Sequence, residues 1–582
     1  MAAIGVARAA LLCVLTICPN AHLENYASTS VPKYRRRLLC AHINANHAIA
    51  LIWAHGTPAD GGAEVGVAPA TLEGQQAATR PIIQAMASEG LDPPRPARHD
   101  CDVLVVGGGP GGSAAAYWLA TMGVDVLCVE KKHFPREKTC GDGLTPRSVR
   151  QLRDMGLEGA LAGHHQYDGL RSMAFHRELE MRWPSHPDYP SYGYVITRFD
   201  LDQLVSEHAE KAGALVWQGV EAVSPLALSH SGGNGAGSAD LSGTRCGGAI
   251  VVDKSRGSRT EVHARYVVVA DGSLSRFGRV LGTSRDKSYP QGMAIRGYFH
   301  SPRHADRFIE SHLDIRDRNG HVVPGYGWIF PLGDGRVNVG IGLLSTSERW
   351  KGLNTTRLME EFVDFAPKSW CISPATACSE PTGGRLPMGF STGPRWGEDF
   401  VVVGDASGDI NPFNGEGIAY AWETGRIAAE VIADALAGRP GAGETGAPPG
   451  ETGPGAATTG DVAGAPLAGY EHRLQAEYGQ YYAIARAFVK AISDPRLMRA
   501  TVGAGMLVPP VMRSVLRIMA NLNRPDRIGG GEAVYRGLVS LSESLQKRRS
   551  RAARPARSPL DPPAGTGTTA RPAPTGAGAL PG

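Results

Sequence analysis

The chain has 582 residues, room for two or three domains, and its 42% apolar and 20% charged residues suit a globular protein with some flexible padding. A formal net charge of only +4, with the excess partly in the tail, gives a nucleic-acid partner little support. No apolar run reaches the roughly 18–20 residues that would span a bilayer, and the nine cysteines form no C-x-x-C pair or His/Cys cluster, which points away from a metal site and towards reduced thiols in a cytosolic compartment.

Residues 1–98 show no clear periodicity and read as an unstructured extension. Ala9–Cys18 has the length of a signal-peptide core, but only Arg8 precedes it and no small-residue cleavage site follows; Met86 offers an alternative start. The first organised stretch begins at Cys101. Val103–Val106 is a run suited to a buried parallel strand, followed by Gly107, Gly109 and Gly112 in the pattern G-x-G-x-x-G, with Pro110 and Gly111 between them and a helix predicted over Ser113–Met122. Gly107 permits the tight turn, Gly109 lets a pyrophosphate approach the backbone, Gly112 brings helix and strand together, and the free N–H groups of the helix start face the phosphate. A second strand, Val124–Val129, ends at Glu130 and Lys131, the acid standing where a ribose hydroxyl partner belongs. Instead of another plain strand–helix unit, a polar loop follows, PREKTCGDGLTPR, carrying Arg136, Lys138, Cys140, Gly141 and Asp142.

Further on, a helix is expected over Ser148–Leu157, strands over Ala174–Tyr194, and an amphipathic helix over Leu201–Ala212 after Arg198, with His208 as a structural histidine on its apolar face. Strands over Val216–Leu228 and Gly248–Val252 flank a Gly/Ser-rich tip at 229–247. The strand Tyr266–Ala270 runs into Asp271-Gly272, and Phe400–Val403 runs into Gly404-Asp405, a strand-end acid placed to hold ribityl or pyrophosphate-linked oxygens. Then come Pro412, Gly415, Gly417 and Ile418, opening a helix to about Leu436 whose positive end would favour negative charge on a reduced flavin ring. Cys371 and Cys378 read as part of a surface strand pair around Pro374 and carry no assigned role. Residues 437–466 form a low-complexity linker, helices follow to about Gln546, and the basic tail from Lys547 should be disordered.

Three motifs together resemble the geranylgeranyl reductase family of flavoproteins, within the larger para-hydroxybenzoate-hydroxylase-like group: FPREKTCGDGL at 134–144, YGWIFP at 326–331 followed by Gly340-Ile341-Gly342, and Gly404-Asp405 with Asn411-Pro412 and Gly415-Glu416-Gly417. Within it, DGLTPR, PGYGWIFPLG and NPFNGEGI look most like the actinobacterial menaquinone reductases. The resemblance implies an α/β fold of GR2 type: a Rossmann-like FAD-binding domain in three parts (99–165, 197–290, 391–436), interleaved with a mixed or antiparallel β-sheet substrate domain (166–196, 291–390), and C-terminal helices at 467–546. It also implies non-covalent FAD with Glu130, Arg198 and Asp405 as contacts, an active-site thiol at Cys140, and saturation of one isoprene double bond in a polyprenyl quinone.

Elementary chemistry agrees with such a reaction. An isolated trisubstituted alkene is not polarised, so hydride from a reduced flavin needs an acid to protonate the other carbon, in a water-poor slot with an aromatic wall that tolerates positive charge. Tyr326, Trp328 and Phe330 alternate along a predicted strand and would share one side, either as that wall or as a core stripe. Asp142 and Tyr326 are rival proton donors; Cys140 is either an active-site thiol or a small packing residue; Arg136 and Lys138 hold phosphate or quinone oxygens, or lie solvated. Reduction of other geranylgeranyl groups, on diphosphate, chlorophyll-type or lipid substrates, is the nearest alternative, and an aromatic-ring monooxygenase is the alternative of another class. No second nucleotide-binding unit reveals the electron donor. Val508, Val511, Met512, Val515, Leu516, Met519 and Leu522 line one helix face, which docks either on lipid or on the protein's own core; the first places this cytoplasmic chain peripherally on the inner face of the plasma membrane.

Overall fold

The computed structural model describes residues 37–44, 48–56, 63–68, 95–228, 245–323, 325–346, 352–439, 465–493, 498–499, 502–503 and 505–522. The signal-like run, Met86, most of the tip at 229–247, most of the linker, and the tail lie outside them. Two units divide at Arg95/Pro96. In the first, where an unstructured extension was expected, Arg37–Asn44, Ala48–Gly56 and Ala63–Ala68 pair as a three-stranded antiparallel sheet. Short apolar and β-branched runs (RLLCAHIN, AIALIWAHG, AEVGVA) separated by few residues suffice for a meander without any longer periodicity.

The second unit is built on two seven-stranded sheets. In one, the parallel set Leu215–Gln218, Val126–Glu130, Arg98–Val106 and Arg259–Val269 is continued by Phe400–Val402 on the end of the last strand. Val220–Leu228 and Arg245–Asp253 extend it antiparallel beside the start of that same strand. Val103, Leu104, Val105 and Val267–Val269 are completely buried, as strands covered on both faces must be. The helices Pro110–Thr121 and Ile418–Leu436 cover one face and touch through glycine, for a Cβ on Gly425 would stand 2.5 Å from the Gly111 carbonyl oxygen.

In the other sheet the order is Thr382–Pro387, Gln291–His300, Arg336–Leu344, Gly325–Pro331, Phe308–His312, Gly169–Ala174, Arg177–Arg182, antiparallel except where Phe308–His312 lies parallel to Gly169–Ala174. The helix Thr355–Phe365 and the buried Trp370 cover one side of it. Around Pro374 the expected strand pair is replaced by two single-turn 3₁₀ segments, Lys368–Trp370 and Pro374–Thr376. The prolines at 367 and 374 remove ladder donors, and Ser373 and Thr376 cap the second turn reciprocally. The helix Pro509–Met519 buries Met512 and Leu516 in an apolar cluster that also holds Trp183 and Tyr298, leaving Leu507, Val508 and Arg513 exposed at its start. No helix among the described residues is long and apolar enough to cross a membrane.

Candidate active site

The first cradle is the glycine turn. Gly107 has φ +104°, and a Cβ there would lie 2.4 Å from the Ala270 carbonyl oxygen; one on Gly112 would lie 1.8 Å from that of Gly107. Gly109 caps the helix Pro110–Thr121 without a side-chain bond, and no acid occupies its first turn. Glu130, buried at the end of the next strand, accepts from the backbone N–H groups of Gly108 and Lys132, each at 3.0 Å. Arg136 bridges Glu130 (3.5 Å) and Asp202 (3.1 Å), and its Nη2 comes within 3.6 Å of where a Gly109 Cβ would stand. Lys131 is exposed beside this cradle.

The second cradle follows Phe400–Val402. Gly404, at φ +63°, donates its N–H to Asp409 Oδ2 at 2.7 Å, and burial pushes the Asp409 carboxyl up to about 7. Asp405 is half-buried, 3.7 Å from Lys138 Nζ. Asn411 donates to Tyr420, Tyr481 and the Met519 carbonyl, so the turn beside Pro412 is tied to the C-terminal helices. Gly415 (φ +76°) and Gly417 then lead into Ile418–Leu436, again with no side-chain cap and no acid in the first turn. Asp271 accepts from Phe277 N at 3.0 Å through Oδ2, beside Gly272 (φ +86°), and its Oδ1 is buried without a partner. Arg198 is held by a two-pronged pair with Asp202 (2.6 and 2.7 Å), and lies near Cys140 and close enough to Asp405 to feel its charge.

An extended flavin dinucleotide fits these residues. Two uncapped helix starts offer N–H groups for negative charge, Glu130 is a buried acid at the end of the strand after the glycine turn, and buried polar atoms without partners, Arg136 Nε and Asp271 Oδ1, lie beside that turn. At Gly107 and Gly112 the first cradle leaves no room for a side chain larger than glycine's.

Between the cradles, the loop at 140–145 lies on the aromatic strand. Tyr326, Trp328 and Phe330 share one side, with ring centroids 5.8 and 6.3 Å apart in succession. Trp328 is buried and donates Nε1–H to Asn338 Oδ1 at 2.8 Å, while Tyr326 and Phe330 are half-buried. Cβ atoms on Gly141 or Gly143 would each stand 3.1 Å from the Phe330 ring, so a side chain at either position would press the ring aside. Burial, reinforced by Asp142, pushes the Cys140 thiol up and keeps it protonated.

Asp142 is fully buried with φ +63°. Its Oδ2 accepts from Tyr298 Oη (2.6 Å) and Asn338 Nδ2 (2.8 Å), and its Oδ1 from Arg198 N (3.3 Å). Despite these donors, burial raises its carboxyl to about 6. A carboxyl that binds its proton more tightly folded than unfolded makes stability fall as pH rises, here between about 4 and 6. Asp142→Asn is therefore expected to remove part of that decline, seen as a flatter urea midpoint against pH; an unchanged slope would contradict it.

Tyr298 and Asn338 escaped the sequence reading. They sit directly opposite one another on neighbouring antiparallel strands, 156 and 196 residues from Asp142. The one available signal was a polar Asn338 inside the apolar run VNVGIG. Arg147, though inside a quoted motif, was given no role; it forms a buried ion pair with Glu423. His208 bonds the Met155 carbonyl at 2.7 Å and stacks on Tyr117.

Residues 100–295 match the family model for an FAD-binding domain. The menaquinone reductase of Mycobacterium tuberculosis is 36% identical over 449 residues, 77% of this chain and 97% of that protein, and the one from Mycolicibacterium smegmatis is 35% identical over 77% of this chain and 98% of its own. Digeranylgeranylglycerophospholipid reductase 2 of Methanosphaera stadtmanae is 30% identical over 58% and 79%. Among solved structures, a geranylgeranyl bacteriochlorophyll reductase-like protein from Thermoplasma acidophilum shares the fold at TM-score 0.55 and 21% identity, covering 78% of this chain and 97% of its own. Similarity along nearly the full length of curated relatives, an FAD-binding domain where the glycine cradle lies, and motifs in the expected places lead to one assignment: the chain belongs to the geranylgeranyl reductase family of FAD-dependent oxidoreductases.

Proposed function

We propose that this enzyme saturates one isoprene double bond in the polyprenyl side chain of menaquinone, working at the surface of the membrane that holds its substrate. The observation that carries the reading is the aromatic side Tyr326–Trp328–Phe330 lying against the Cys140–Gly143 loop, next to the second cradle. The similarity to two menaquinone reductases along nearly their whole length supports the quinone over other isoprenoids.

In this reading Gly107, Gly109, Pro110, Gly111 and Gly112 receive the FAD phosphates, with Arg136 behind them, and Glu130 and Lys131 face the adenosine end. Asp271, Gly272, Gly404, Asp405 and Arg198 border the middle of the dinucleotide. Pro412, Gly415, Gly417 and Ile418 present a helix start to the ring, with Cys140 and Gly141 beside it. When bound and reduced, the flavin supplies hydride. The chain's own part is to exclude water, to stack aromatic faces where positive charge builds on the alkene, and to hold a proton for the second carbon. Asp142 anchors the loop over Trp328 through Tyr298 and Asn338.

For reaching a bilayer substrate, Leu507 and Val508 stand 61% and 46% exposed at the start of a helix whose Arg513 is also exposed. Leu516 and Met512, one to two turns later, belong to the same apolar cluster as Phe330. An apolar tip with a cation beside it suits insertion at an anionic, inner-leaflet headgroup layer.

The test is a single reaction. The FAD-loaded chain, chemically reduced without air, is mixed with anionic vesicles containing menaquinone, and the vesicles are sedimented and their quinones weighed. Co-sedimentation and a gain of two hydrogens per quinone are expected. Geranylgeranyl diphosphate being saturated while menaquinone stays unchanged would move the substrate to the other branch of the family.

A further inference from the structure

Adding hydride to one alkene carbon leaves the other needing a proton, and the structure narrows the search for its source. Asp142 has both oxygens engaged by donors of the chain. The Tyr326 hydroxyl gives its hydrogen to the Asn414 carbonyl at 2.7 Å. One acid beside them is arranged differently. Glu416, in the turn between the two glycines that open Ile418–Leu436, accepts through Oε1 from the hydroxyls of Thr145 and Ser148, the latter at 3.0 Å. Its Oε2 is buried with no hydrogen-bond partner.

The turn itself is rigid. Glu416 N donates to Asn414 Oδ1 at 3.0 Å, its carbonyl accepts from Asn411 N at 2.8 Å, and Gly415 N donates back to the Asn411 carbonyl at 2.9 Å. Tyr326 crosses the same turn, its hydroxyl 3.2 Å from where a Gly415 Cβ would stand. The turn that carries Glu416 therefore joins the start of the helix Ile418–Leu436 to the aromatic wall. Arg147 and Glu423 act on the charge of its carboxyl, and Tyr167 and Tyr326 are close enough to sense it. Burial favours the neutral acid over the carboxylate. A buried polar atom left without a partner is destabilising, so one that persists calls for an explanation, a catalytic role among them.

We propose that Glu416 is the general acid of this site, with Oε1 anchored by Thr145 and Ser148 and Oε2 carrying the proton that goes to the alkene carbon not receiving hydride. This rests on the polyprenyl reading above. The π pair of the alkene forms the new C–H bond to the Glu416 proton, as hydride from the reduced flavin closes the other carbon. The alkene is reduced by two electrons, the flavin is oxidised by two, and the Glu416 carboxylate left behind recovers its proton from solvent. Reducing equivalents come from a two-electron donor to the flavin, dithionite in the test.

Glu416→Gln keeps the shape and the Oε1 acceptor but has no proton of comparable acidity to give. With the dithionite-reduced, FAD-loaded chain and menaquinone, single-turnover formation of saturated quinone is expected to fall by about 10²–10⁴-fold, while FAD affinity stays within twofold of the parent. Difference infrared spectra of parent minus variant should show the carbonyl band of a neutral carboxylic acid near neutral pH. Turnover of E416Q within threefold of the parent, or a difference spectrum carrying only carboxylate bands, overturns the assignment. Should E416Q not retain FAD, Thr145→Val releases one anchor of Oε1 while keeping the acid; slowed turnover with unchanged FAD affinity supports the role, and parent-like turnover overturns it. A parent enzyme that binds FAD yet never saturates menaquinone defeats the substrate reading instead, and the infrared result still decides whether Glu416 holds a proton.

Discussion

Gly112→Ala should yield a chain that purifies without flavin colour. Alanine is at home in a helix, so the conformational preference would, if anything, improve. The obstacle is contact: the new methyl would stand 1.8 Å from the Gly107 carbonyl oxygen and 3.1 Å from the Ala270 side chain. Neither can retreat cheaply. Gly107 is fixed by its N–H to the Val129 carbonyl at 2.8 Å, and Ala270 by its N–H to the Val106 carbonyl at 2.8 Å, both extensions of the central parallel sheet. Helix and strand must separate, and the cradle for the pyrophosphate opens with them. A cost on the order of 3 kcal/mol or more is expected in a urea titration, with loss of stoichiometric FAD by visible absorbance. Gly123→Ala makes the control. That residue also has positive φ (+78°) but nothing within 4 Å of its would-be Cβ, so only the backbone preference is lost, about 1 kcal/mol, with full flavin content. Equal flavin content in the two variants would refute the steric account.

Arg147→Met should be the most destabilising change away from the glycine turn. Arg147 reaches Glu423 at 2.8 Å, and its Nη1 donates to Tyr189 Oη and to the Asn521 carbonyl, both at 3.2 Å. Its guanidinium also lies over the rings of Tyr420, Tyr189 and Tyr478 at 5.3, 5.7 and 5.9 Å. One side chain thus joins the helix Pro146–Asp154, the helix Ile418–Leu436 and the C-terminal helices. Methionine fills much of the volume but leaves the Glu423 carboxylate buried with only Gln151 and Tyr478 as donors. Removing one partner of a buried pair costs about 3–5 kcal/mol. The double variant Arg147→Met/Glu423→Leu, which removes both charges, is expected to regain a good part of the loss. A double variant no more stable than the single one would mean that the tyrosine contacts, not the unpaired charge, dominate.

Local chemistry was legible before any coordinates. The strand, glycine turn, helix and terminal Glu130 are contiguous, and each depends on backbone sterics that a few neighbouring residues decide. The shared side of Tyr326, Trp328 and Phe330 followed from the two-residue period of a strand. The surface pair expected around Pro374 failed because two prolines and a capping box impose turns, a stronger local rule than alternation. The helix Pro509–Met519 had two fates open to it. Its own residues are equally apolar towards lipid or core, and only the tertiary cluster that takes in Met512 and Leu516 together with Trp183 and Tyr298 decided that most of that face packs inward.

What the sequence determined alone is the cofactor and the kind of fold, since a dinucleotide cradle is written in consecutive residues by glycine's lack of a Cβ and the direction of a helix start. What only the tertiary structure decided is the state of the acids. Asp142 is engaged by Tyr298 and Asn338, Arg147 is paired with Glu423 at a separation of 276 residues, and Glu416 is left with one bonded and one bare oxygen. A carboxyl's role depends on which donors and how much water surround it, and those neighbours come from strands and helices that the chain brings together only when it folds.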